Sequence, residues 1–117
     1  MTRCVLACVA VLGLIGPALA DDVAEYQAFA VHNATGRAIT YEVSWGGGPW
    51  RVSTVMPGRA LIHSHIDYAD TPAPTPRLRV AVAGRAYSPL TNRVQEKRDA
   101  YRHFFRADAA GNVSLRR

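Results

Sequence analysis

In the middle of the chain apolar and polar positions alternate strictly: Ile39, Tyr41, Val43 and Trp45 are separated by Thr40, Glu42 and Ser44. A strand points successive side chains to opposite faces, so this period of two predicts a strand with one buried and one wetted face. Shorter runs flank it. Residues 29–33 predict a strand closing on the turn Asn33-Ala34-Thr35-Gly36, so residues 27–45 read as a β-hairpin or a closely related pair. Gly46-Gly47-Gly48-Pro49 breaks the chain, residues 50–55 resume as a strand, and Pro57-Gly58 sets proline second and glycine third in a type II turn.

Residues 60–68 alternate again, with Ile62, Ile66 and Tyr68 on one face and Leu61, His63, His65 and Asp67 on the other. The proline-rich stretch 72–76 is a stiff connection. Beyond it Leu78, Val80 and Val82 point inward, with Arg77 and Arg79 outward. Residues 86–90 predict a short strand that Pro89 pushes to an edge, and residues 92–98, polar and without an apolar stripe, predict a loop. Tyr101, His103 and Phe105 alternate with Arg102, Phe104 and Arg106 before a turn at residues 109–112 and the short run Val113-Ser114-Leu115, which together predict a terminal hairpin. Seven or eight short strands, divided by turns every 8–15 residues and free of helical periodicity, predict a small antiparallel β-sandwich of the immunoglobulin-like kind.

The first twenty residues follow a different pattern. Arg3 precedes an uncharged apolar run, Gly16-Pro17 interrupts it, and Ala18-Leu19-Ala20 ends it in a small-x-small site before Asp21-Asp22. This is the pattern of a secretory signal peptide, so the expected domain is residues 21–117 and the expected setting is the periplasm or the medium. The apolar run, with its Gly-Pro break, is shorter than the roughly 20 residues a spanning helix needs. Cleavage after Ala20 takes Cys4 and Cys8 with it, and these are the chain's two cysteines. The expected mature domain then has no disulfide, no thiol nucleophile and no cysteine-bound zinc, and it is held by apolar packing alone.

Charge adds one constraint. The chain carries 14 Lys+Arg against 9 Asp+Glu, a formal net charge of +5, which loss of Arg3 takes to +4. Lys97 is the single lysine. Such a balance favours contact with acidic surfaces. The arginines are nevertheless spread along the chain among acids rather than gathered into a stripe, which argues against nucleic acid and for a solvated surface.

Candidate chemistry centres on His63-Ser64-His65-Ile66-Asp67. Residues two apart on a strand share a face, about 6–7 Å from one another, so His63, His65 and Asp67 form a candidate zinc or copper site. The alternative is a merely polar strand surface. His32 and His103 are further candidate ligands, the first at a strand end and the second expected as a hydrogen-bonded core histidine. Ser64 falls on the opposite face from its neighbouring histidines and forms no nucleophile–base pair with them. Asp67 and Asp70 carry no sign of a glycosidase cleft, and no Gly-x-Ser-x-Gly, phosphate-loop or dinucleotide pattern occurs, so an enzyme is not expected. A third reading is recognition of an anionic polysaccharide or other glycan, with Trp50, Arg51 and Tyr68 as surface candidates, Tyr87 as a further aromatic, and Trp45 assigned to the core by parity. Asn33-Ala34-Thr35 and Asn112-Val113-Ser114 match the N-glycosylation pattern but are also natural turn sequences.

The series Phe29-x-Val31-x-Asn33-x-Thr35, Ile39-x-Tyr41-x-Val43-x-Trp45-Gly46, Trp50, Pro57-Gly58 and His63 resembles small uncharacterised secreted bacterial proteins, whose chains also end in an aromatic strand, a glycine-containing turn and a short apolar strand. The resemblance implies a β-sandwich in the bacterial envelope and brings no catalytic residues with it. Residues 92–99 depart from it. The resulting expectation is a secreted or periplasmic, non-catalytic binding or structural module, requiring no cofactor and meeting an envelope protein or a glycan.

Overall fold

A computed structural model describes residues 25–66, 74–80 and 85–117. Within them the strands are β1 (Tyr26–Asn33), β2 (Ile39–Trp45), β3 (Arg51–Val55), β4 (Ala60–Ile66), β5 (Pro76–Val80), β6 (Ala86–Tyr87), β7 (Asn92–Val94), β8 (Tyr101–Ala107) and β9 (Val113–Arg116), with a 3-10 turn at Lys97–Asp99. One sheet runs β4-β1-β8-β9, with β7 also on β1, and the other runs β3-β2-β5-β6. The two sheets pack into a small all-β sandwich. Its core takes the inward-facing parity of both sheets: Phe29, Val31 and Phe105 from the first meet Ile39, Tyr41, Val43, Val55, Leu78 and Val80 from the second. Fully burying a side chain of this size contributes about 1.5–3 kcal/mol, so these positions dominate the fold.

Two expectations change. The sandwich is not antiparallel throughout, because β1 and β8 run parallel from Phe29↔Tyr101 to Asn33↔Phe105. A parallel pair needs a long crossover, and the chain supplies one by building the whole second sheet between them. Residues 27–45 are also not a hairpin: β1 and β2 lie in different sheets.

Asn33 explains this second change. It is 1% exposed, and its side-chain amide donates to Arg37 O at 2.7 Å and Val55 O at 2.9 Å. Its carbonyl accepts from the Thr35 amide at 2.9 Å and the Thr35 hydroxyl at 2.6 Å. Two donors and two acceptor sites are thus all engaged, and they hold the chain in an arch from one sheet to the other. Because this side chain is sealed, Asn33-Ala34-Thr35 is a structural corner rather than an accessible glycan acceptor.

The Pro57-Gly58 turn is as expected, with the Arg59 amide donating to Met56 O at 3.0 Å and Gly58 at φ +70°, where a side chain is strained. It carries the chain from β3 to β4, and so from one sheet to the other. The terminal hairpin is also found: β8 and β9 pair from Phe104↔Arg116 to Ala107↔Val113 around a turn in which Asp108 accepts from the Ala110 and Asn112 amides.

The expected loop at residues 92–98 is instead a strand and a 3-10 turn. Val94 and Ala100 cover Ala28 on the outer face of β1 in a second small cluster, and Asn92 holds this segment by donating to Asp99 O and accepting from the Tyr101 amide. With apolar content this small, and split between residues 94 and 100, the segment has no visible stripe in the sequence.

Candidate functional site

β3 and β4 are the edge strands of the two sheets on the same side of the sandwich, and the turn between them leaves a groove of about 530 Å³. Val43 and Trp45 of β2, Arg51 to Ser53 of β3, and Ile62 to His65 of β4 line it. The register Phe29↔His63 and Val31↔Leu61 fixes which face of β4 turns inward. That face carries Leu61, His63 and His65; His63 is half-buried against the sandwich, while His65, nearer the end of the strand, is exposed. Ile62 and Ile66 face outward, 42% and 50% exposed. The polar-surface alternative is therefore corrected for His63 alone, which is half-buried. Buried tyrosine hydroxyls need a partner, and the Tyr41 hydroxyl finds His63, which makes an imidazole at this inward position favourable.

Tyr41 Oη and His63 Nε2 share a hydrogen bond of 2.6 Å. The His63 ring also lies 5.3 Å from that of Phe29 and edge-on to Tyr41 at 5.4 Å. Burial penalises the charged imidazole and pushes the His63 pKa down to about 4, while it pushes the Tyr41 phenol up. Both groups are neutral near pH 7. Farther along the same face His65, which is exposed, stacks on Trp45, with ring centres 5.5 Å apart at 26°. Trp45 in turn leans on Phe29 at 5.6 Å. The groove thus offers an indole and two imidazoles, with the Arg51 guanidinium, exposed at the β3 edge, as its cation.

Of the sequence-derived site residues, the structure brings together His63, His65 and Arg51. Asp67 and Tyr68 lie outside the described residues, and among those described no three His, Cys, Asp or Glu side chains gather as a metal site. Trp50 is elsewhere. It is half-buried beside the outer face of the second sheet, beneath the guanidinium groups of Arg79 at 4.1 Å and Arg77 at 5.6 Å from the ring centre, and Arg79 is itself bound to Glu42 at 2.6 Å. Tyr87, half-buried, packs against the main core.

His32 stacks on Phe104 with ring centres 4.7 Å apart on the opposite face of β1 from Phe29. His103 is 5% exposed and edge-on to Phe29 at 6.3 Å, its Nε2 3.5 Å from Leu90 O, and burial lowers its pKa. It sits on β8, across β1 from His63, so neither of these histidines joins the groove. Ser64 opposes Ala28 on the outer face, away from both groove histidines, as expected.

Tyr41 and Trp45 are the residues that sequence reasoning assigned to the core alone. Parity placed both correctly on the inward face: Tyr41 is fully buried and reaches the groove only through its hydroxyl's bond to His63, whereas Trp45 is only partly covered and lines the groove itself. The useful signal was the coincidence of an inward tyrosine, which needs a polar partner, with inward histidines on another strand. Compared with family models, curated proteins and solved structures, the chain has no significant match in any of the three.

Proposed function

We propose that the chain is an exported, non-catalytic β-sandwich that binds a glycan carrying carboxylate groups in the groove between β3 and β4. One observation carries this reading: Trp45, His63, His65 and Arg51 line a single half-open groove of about 530 Å³. An aromatic plate stacks on the apolar face of a sugar ring, imidazole nitrogens hydrogen-bond to hydroxyl groups, and a guanidinium pairs with a carboxylate. Pockets of this size, with a few convergent polar groups, are the usual form of small-ligand sites. Export is supported by the leader pattern of residues 1–20. The non-catalytic reading is supported by the lack of a catalytic motif in the sequence.

Intrinsic fluorescence and calorimetric titration with oligosaccharides of uronic acids and of neutral hexoses test this. Both classes are expected to compete for one site, with the uronates tighter. Trp45→Ala is expected to abolish binding, and Arg51→Ala to remove the preference for uronates. Binding that survives Trp45→Ala but disappears in Trp50→Ala would move the site to the outer face and end this proposal. Uptake of one equivalent of zinc or copper, lost when His63→Ala and His65→Ala are combined and unaccompanied by sugar binding, would favour the metal reading of the same histidines instead.

A further inference from the structure

Native sheets protect their edges with short strands, charges, prolines or bulges. Among the described residues most terminal strands here comply: β6 has two residues and β7 three, β3 begins with Arg51, and β9 is four residues ending in Arg116. β4 does not. It is seven residues long, Ala60-Leu61-Ile62-His63-Ser64-His65-Ile66, without proline, lysine, arginine or acid, and among the described residues it pairs with β1 alone. Its two outward isoleucines are 42% and 50% exposed. The strand has a further property: Ile62-His63-Ser64-His65-Ile66 is a palindrome centred on Ser64.

We propose that β4 pairs antiparallel with β4 of a second copy about a twofold axis through Ser64, making one continuous sheet across a dimer. A twofold interface must be self-complementary, and an antiparallel ladder about a residue sets each position opposite one equally far on the other side. The palindrome therefore matches like with like. Ile62 lies beside the partner's Ile66, and His63 beside the partner's His65. Both residues of every such pair have the same parity, so both turn their backbone groups to the same edge and their side chains to the same face, as the ladder requires. An axis between two residues would fail this condition.

On the outer face two isoleucine pairs cover the apolar surface that is exposed in the single chain. On the inner face the imidazole pairs sit at the groove wall. The axis is normal to the sheet, so the two grooves lie on the same side of it and adjoin. The dimer does not depend on what the groove binds.

Sedimentation velocity of the full chain over a micromolar concentration range tests the pairing, with thermal melts to verify folding, since both isoleucines are exposed. The wild type is expected to move from monomer to dimer with rising concentration. Ile62→Lys combined with Ile66→Lys sets like charges opposite each other and is expected to weaken the dimer about tenfold or more. Ile62→Lys combined with Ile66→Glu sets opposite charges together across the axis and is expected to bind more tightly than the double lysine variant. A wild type that stays monomeric overturns the proposal. So does association indifferent to these changes, as self-association through the apolar leader would be, or a Lys/Glu variant as weak as the Lys/Lys one.

Discussion

Two polar regions border the same core, and they are built in opposite ways. At the arch, Asn33 is sealed from water and its amide makes four hydrogen bonds within its own chain. At the groove, His63 makes one hydrogen bond to Tyr41, and His65 is exposed and meets Trp45 by stacking. A buried polar group whose capacity is used up serves the fold, since removing it strands its partners. A polar group with hydrogen-bonding capacity left over in an open groove has something to offer a ligand. Substitutions at the two regions should therefore separate stability from binding.

The largest effect is expected at the arch. Asn33→Ala removes the side-chain donor to Val55 O, one of the two side-chain donors to Arg37 O, and the acceptor of the Thr35 amide, at a corner whose central side chain is sealed. A loss of about 2–4 kcal/mol is expected, measured as a lower midpoint in chemical denaturation. Asn33→Asp is expected to be similarly damaging, because it replaces the donating amide with an acceptor facing two carbonyls. If either variant melts with the wild type, the arch is not the closed corner described here.

His63 gives the next effect, through pH. Its pKa is about 4 in the folded chain against 6.5 for a free imidazole, so between these values the unfolded chain binds more protons than the folded one. Stability is then fully present above pH 6.5 and declines as pH falls toward 4, by up to about 3 kcal/mol. His103 and His32 are shifted in the same direction and add to the decline. His63→Gln retains a polar partner for Tyr41 without a titrating ring and is expected to flatten the pH 4–6.5 part of the stability profile. A profile unchanged by His63→Gln would show that this imidazole does not carry the acid sensitivity.

These contrasts also show what the sequence made legible. Strand positions and inward parity were readable wherever alternation was strict, as at Ile39, Tyr41 and Val43, because a period of two leaves little choice once one face is apolar. The association of strands was not readable. Asn33-Ala34-Thr35-Gly36 has the composition of a hairpin turn, and only the burial of the Asn33 side chain against Val55, 22 residues away, makes it an arch. β7 was missed because Val94 is a single apolar residue whose companions, Ala28 and Ala100, come from distant positions. The histidine pair was found as a shared face. What it faces depended on the pairing of β4 with β1, which local pattern does not encode.

The smallest effect sharpens the comparison most. His65 is exposed, and its stacking on Trp45 is the ring contact that holds it. A pair of this kind at an edge contributes about 0.5–1 kcal/mol, so His65→Ala is expected to lower stability by no more than that. It is nevertheless expected to weaken ligand binding in the groove at least tenfold, since it removes hydrogen-bonding groups and releases the indole plane of Trp45. Thermal melts and ligand titration on the same sample measure both quantities. A variant that loses as much stability as Asn33→Ala would mean that the groove, like the arch, is part of the core. If instead binding falls while the melt barely moves, the side chain is held in place for what it contacts outside the chain.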